Sequence, residues 1–114
     1  MEPIFRALAD PSRRLLLDLL FERDGRTLSD LRGHLPGMTR FGVMRHLDVL
    51  EAADLITTRR VGREKLHYLN PVPIRLVHDR WISKYSEPWV AGLVDMKNDL
   101  EGTKTQKRKP GRAS

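Results

Sequence analysis

The chain has 114 residues and no cysteine, which excludes disulfides, thiolate metal sites and thiol redox switching. Apolar residues at 39% against 32% charged describe one small globular domain rather than a disordered polymer. The net charge of +6 is concentrated: five of the 21 basic side chains stand in residues 102–114 without an acid, leaving 16 against 15 elsewhere, so any basic surface on the folded part must be local.

The start, Met1-Glu2-Pro3-Ile4-Phe5-Arg6, lacks the basic segment and apolar core of a secretion signal. The apolar cluster from Leu15 to Phe21 is broken by Asp18 and too short to span a bilayer. An intracellular, cytoplasmic protein with no membrane partner is expected. A core of this size is marginal alone, and such chains often gain stability by dimerising.

Glu2 to Ala9 predicts a short helix with Ile4, Phe5 and Leu8 on one side. Pro11 ends it, because the residue before proline avoids helical angles, and Asp10-Pro11 starts the next by cap and first-turn proline. The second helix is expected over Pro11 to Arg23, burying Leu15, Leu16, Leu19 and Leu20, with Arg13, Arg14, Asp18 and Glu22 mostly toward water. Asp24-Gly25 closes it. Thr27-Leu28-Ser29-Asp30 resembles a capping box opening a third helix to about His34, with Leu28, Leu31 and Leu35 as its apolar edge. Pro36-Gly37 is a turn.

Thr39 caps the fourth helix, which runs to about Ala53. Val43, Leu47 and Leu50 form its inward stripe at spacings of four and three, and Asp48 and Glu51 face water. From Leu55 to Asn70 the period changes. Ile56-Thr57-Thr58 and Leu66-His67-Tyr68-Leu69 are strand-like, and Gly62 is the turn residue of a hairpin with a basic tip. Asn70-Pro71 restarts helix. Ile74, Val77, Trp81, Tyr85, Trp89, Leu93, Met96 and Leu100 then recur at three and four, and Pro88 is expected to kink or break the helix near Ser86-Glu87. The tail from residue 102 is polar, basic and expected to be disordered.

Four helices, a hairpin and a last helix make a mainly α fold, a winged helix-turn-helix with an added helix at each end. Here the chain resembles the ArsR/SmtB family of bacterial transcription regulators, over roughly residues 4 to 101. The stretches carrying the resemblance are Ala7-Leu8-Ala9-Asp10-Pro11-Ser12-Arg13-Arg14, then Val43-Met44-Arg45-His46-Leu47 leading to Val49-Leu50-Glu51-Ala52, then Gly62-Arg63 leading to Tyr68-Leu69-Asn70. The resemblance implies a homodimer that binds an operator in double-stranded DNA and usually represses. It also implies one domain over residues 1–101 followed by the tail.

Two departures stand out. Family members that sense metal use cysteines on the third helix, here Leu28-Ser29-Asp30-Leu31-Arg32, or a D-x-H and H-x-x-E/H pair on the last helix; here Leu76 stands two before His78, and Trp89 eleven after it. Neither site carries over, and the Trp81 to Trp89 segment looks like the metal-independent branch. No metal and no cofactor are expected. The family usually has glycine where this chain has Asp54, a position expected to be left-handed at a small cost in stability.

The resemblance places Arg40, Gly42, Met44, Arg45 and His46 on or near the face toward DNA, and Thr39 at the helix start is expected to meet a phosphate. Arginine reads guanine O6 and N7 with two bonds, worth about 1–3 kcal/mol of discrimination. Gly42 would let the helix approach closely, and Thr39 is first a cap. Arg59, Arg60, Arg63 and Lys65 form a wing with only Glu64 against them, a phosphate patch. Ile4, Phe5 and Leu8 of the first helix and Trp81, Tyr85, Trp89, Leu93 and Met96 of the last are expected to form the dimer; the aromatics suit packing better than a ligand box. His34, His67 and His78 have no metal-site spacing. No nucleophile–base pair, phosphate loop or paired carboxylates suggest an enzyme. The competing readings are a metal-responsive sensor with an unrecognised site and a winged helix used for protein contacts.

Overall fold

The computed structural model describes residues 1–85 and 89–101. Pro88 and the basic tail lie outside the described residues, as does the Trp89 side chain. The chain divides into two compact units, Met1–Val77 and a second beginning at His78.

In the first unit, α1 spans Glu2–Leu8, α2 Pro11–Glu22, α3 Leu28–Arg32 and α4 Arg40–Ala52. Local chemistry sets each start. Asp10 Oδ1 accepts from the Ser12 and Arg13 N–H groups at 2.8 and 3.2 Å. Thr27 Oγ1 accepts from Asp30 N at 3.1 Å and Thr39 Oγ1 from Gly42 N at 3.0 Å. Each cap satisfies a helix-end donor that has no partner within its own helix.

The core gathers Ala7, Leu16, Leu20, Leu31, Val43, Leu47, Leu50, Leu55 and Ile56, with Ile4, Leu8, Leu28 and Met38 packed around it. In α2 the buried face differs from expectation. Leu17 is 6% exposed and Leu15 37%. The stripe centres between Leu16 and Leu20, and at about 100° per residue Leu17 lies nearer that centre than Leu15. With leucine at five of the six positions from 15 to 20, the pattern alone does not select between them.

Strand β1 (Ile56–Val61) pairs antiparallel with β2 (Glu64–Leu69), in register from Ile56 opposite Leu69 to Val61 opposite Glu64. The two-residue turn has positive φ at Gly62 (+63°) but not at Arg63, the pattern of a type II′ hairpin. Asp54 is the one non-glycine residue with positive φ (+60°) among the described residues, as the sequence suggests. Its carbonyl accepts from Asn70 Nδ2 at 2.8 Å, which ties the exit of α4 to the end of β2.

The hairpin root is pinned by a short third stretch that the sequence does not announce. Arg26 pairs antiparallel with His67. Gly25 N donates to His67 O at 2.8 Å, and His67 N and Nδ1 both donate to Arg26 O, at 3.0 and 2.9 Å. The carbonyl can only accept, so the buried ring carries its proton on Nδ1. The Arg26 guanidinium, also buried, donates to Leu19 O at the end of α2 and lies 3.9 Å from Glu22.

α5 covers only Val72–Val77, with Pro73 and Val77 buried. In the second unit a widened π turn, His78–Ile82, and a 3-10 turn, Ser83–Tyr85, follow where regular helix is expected up to the interruption near Ser86-Glu87, and α6 spans Trp89–Glu101. The apolar spacing explains the difference. Val77, Trp81, Tyr85 and Trp89 are four apart each time, a step wider than 3.6 that suits an expanded turn as well as an α-helix.

Candidate nucleic-acid interface

α3 and α4, joined by a turn with Gly37 at φ +95°, form the helix-turn-helix pair. Burying Val43, Leu47 and Leu50 fixes the rotation of α4, because those three are at most 5% exposed. The remaining surface of its first turns then presents Arg40, Phe41, Met44 and Arg45, all exposed. Asp48 and Glu51 continue that side, so it is cationic and apolar at its start and acidic further on. Phe41, 78% exposed, is absent from the sequence-derived set although its place in the first turn was visible.

Gly42 has an internal reason. A Cβ there would stand 2.9 Å from Met38 Cγ and 3.4 Å from Thr39 Oγ1. Met38 and Val43 occupy the two positions of a hydrophobic staple, before the cap and four residues into the helix. The missing side chain makes room for Met38 at the first turn, which is a different use from close approach to a partner.

His46 is half-buried, and its Nδ1 accepts from Arg13 Nη1 at 3.2 Å. A guanidinium only donates, so in this bond the ring is neutral with its proton on Nε2. Arg13 also donates from Nε to Ala7 O at 2.8 Å and from Nη2 to Arg6 O at 3.0 Å, capping the end of α1. Around Asp10, partial desolvation pushes the carboxyl up. The N–H groups of Arg13 and Ser12, together with the charge of Arg13, outweigh it and hold the pKa below the usual 3.8.

The wing divides in two. Residues directly opposite in an antiparallel pair share a face. Arg60 and Lys65 therefore lie on the face of Thr58 and His67, while Arg59 lies on the face of Leu66 and Tyr68. Arg60, Arg63, Glu64 and Lys65 line a groove of about 660 Å³ together with Arg40, Phe41, Met44 and Asp48 of α4; Arg59 does not line it. Among the described residues, none of Arg40, Arg45, Arg59, Arg60, Arg63 or Lys65 makes an ion pair, whereas Arg23 pairs with Asp30 and Arg26 with Glu22. Like charges directly opposite, as Arg60 and Lys65 are, cost the hairpin stability unless an anion lies between them.

Each histidine has a hydrogen-bond partner: His34 Nδ1 with Asp30 O at 3.0 Å and His78 Nδ1 with Asp79 at 3.2 Å close in sequence, and His46 and His67 with the distant partners above. Of the expected dimer residues, Ile4 and Leu8 pack partly against the core and Phe5 is 37% exposed. In the second unit Trp81 and Tyr85 meet edge to face at 5.6 Å and stay half exposed. Leu93 and Met96 are 58% and 57% exposed.

A helix-turn-helix domain model matches residues 8–59. The chain is 38% identical over 86 residues to the uncharacterized HTH-type transcriptional regulator YuzN of Bacillus subtilis, covering 71% of this chain and 94% of that one. It is 34% identical over 70 residues to the transcriptional repressor SdpR of the same organism, covering 61% and 76%. Among solved structures, an ArsR family transcriptional regulator superposes with a TM-score of 0.66 at 32% identity, over 77% of this chain and 88% of that one. A homodimeric winged helix-turn-helix DNA-binding domain from Mycobacterium bovis shares the fold (TM-score 0.57, 22% identity, 88% and 81% covered). The helix-turn-helix with its hairpin wing and these likenesses agree: the chain belongs to the ArsR family of winged helix-turn-helix transcriptional regulators.

Proposed function

We propose that this protein is a cytoplasmic, sequence-specific repressor that binds a palindromic operator as a homodimer. The observation that carries the reading is the set of basic side chains that make no ion pair along one groove shared with Asp48, Glu51 and Glu64: Arg40 on α4, and Arg60, Arg63 and Lys65 on the wing. The first two turns of α4 would enter the major groove, and the wing would lie along the phosphates. Asp48 and Glu51 would repel the backbone, which confines contact to the start of the helix. Thr39 caps that start, and the neighbouring N–H groups suit a phosphate. Gly42 contributes by seating Met38. His46, held by Arg13, keeps only Nε2 for a partner.

Dimerisation is supported by apolar side chains that stay 37–58% exposed in the single chain: Phe5 on α1, Trp81 and Tyr85, and Leu93 and Met96 on α6. Repression is supported by the likeness to SdpR. Among the described residues no group of three His, Asp or Glu side chains is placed to hold a metal ion. Also among the described residues, no helix is long and apolar enough to cross a membrane.

Selection of bound DNA from a random pool is the test. The expected product is a palindrome with half-sites about one helical turn, roughly 34–36 Å, apart. Arg40→Ala and Arg45→Ala should weaken binding to it more than to random DNA. Equal losses on both would remove the start of α4 as the reading surface, and no enriched sequence at low salt would overturn operator binding altogether.

A further inference from the structure

Phe41 is the second residue of α4 and 78% of it is exposed. It lies outside the hydrophobic core, so the fold does not require it. Its helix propensity is ordinary. A single exposed phenyl ring is unremarkable on a protein surface, and Phe21, 80% exposed at the end of α2, is one.

Placement sets Phe41 apart. It follows Arg40, precedes Arg45 by one helical turn, and shares a groove with Arg60, Arg63 and Lys65. The groove sets Arg40, Arg60, Arg63 and Lys65 against Asp48, Glu51 and Glu64, and none of those cations makes an ion pair among the described residues. Cations left unpaired around an apolar ring suit a polyanion that also has an apolar feature. On the major-groove edge of DNA that feature is the 5-methyl group of thymine. The ring also stands in the first turn, where base edges come nearest to a recognition helix. Met44, three residues on and 40% exposed, extends the apolar surface.

We propose that Phe41 is a specificity-determining residue that packs on a thymine 5-methyl group, so that the operator carries an A·T pair at the position facing it. The assignment rests on the DNA-binding reading above and adds a base identity to it.

The selected operator, resynthesised with deoxyuridine at each thymine in turn, tests this. The exchange deletes one methyl group and leaves the hydrogen-bonding atoms of the base edge unchanged. The wild-type protein should lose about fourfold in affinity per methyl removed at one symmetry-related pair of positions, the worth of one buried methylene-sized group. Phe41→Ala protein should bind both operators equally, and Phe41→Leu should keep part of the discrimination. Circular dichroism should show both variants folded, because the side chain is outside the core. Wild-type protein indifferent to every replacement, or unchanged discrimination in Phe41→Ala, overturns the assignment while operator binding stands. Failure to select any operator overturns the DNA-binding reading and the base assignment with it.

Discussion

The two faces of α4 answer to different demands. Inward, Val43, Leu47 and Leu50 are packed to at most 5% exposure. Outward, Arg40, Phe41, Met44 and Arg45 meet solvent and touch none of the core cluster's purpose. The hairpin repeats the division along its length: Ile56 and His67 are buried at the root, and Arg59 to Lys65 are exposed at the tip. Stability and recognition are thereby assigned to different atoms of the same elements, and substitutions can pull them apart.

The largest effect should come from the packed side. Leu50→Ala leaves a cavity where no surface is exposed, and a loss of about 2–5 kcal/mol in chemical denaturation is expected. A loss under about 1 kcal/mol would mean that the site collapses around the change, and the contrast between faces would weaken. Next is the exit of the helix. Asp54 holds φ at +60°, so Asp54→Gly should raise stability by up to about 1 kcal/mol without changing DNA affinity. A decrease would show that contacts of the Asp54 side chain outweigh the backbone cost.

The smallest effect on stability should come from the tip. Arg60→Ala and Arg59→Ala should each shift it by no more than about 0.5 kcal/mol. Their effects on binding should differ, because Arg60 lines the groove with α4 and Arg59 lies on the other face. Arg60→Ala is expected to lower the slope of log affinity against log salt by about 1, and Arg59→Ala to lower it less. Equal slopes would mean that the wing meets DNA with both faces.

What the sequence made legible was local. The Asp10, Thr27 and Thr39 caps and the Val43-Leu47-Leu50 stripe depend on neighbours within a turn or two, and all are present; the left-handed Asp54, also present, was legible through the family's usual glycine there. What it concealed was contact at long range. Arg26 carries no strand-like run around it, so its pairing with His67, 41 residues away, had no sequence signal. Arg13 was visible only as part of a motif; its bonds to α1 and to His46 require the corner between α1 and α2 to be folded. The split of the wing was readable in principle. A two-residue turn at Gly62-Arg63 pins the register, and the register places Arg60 with Lys65 and apart from Arg59.

The corner arginine has a mechanical consequence. One planar guanidinium holds Arg6 O, Ala7 O and the His46 ring at 3.0, 2.8 and 3.2 Å. A planar group has no joint, so the end of α1 and the second turn of α4 cannot be displaced independently while all three bonds persist. Tilting the first helix must either carry His46 along or break a bond, which makes the amino-terminal helix a handle on the pitch of α4.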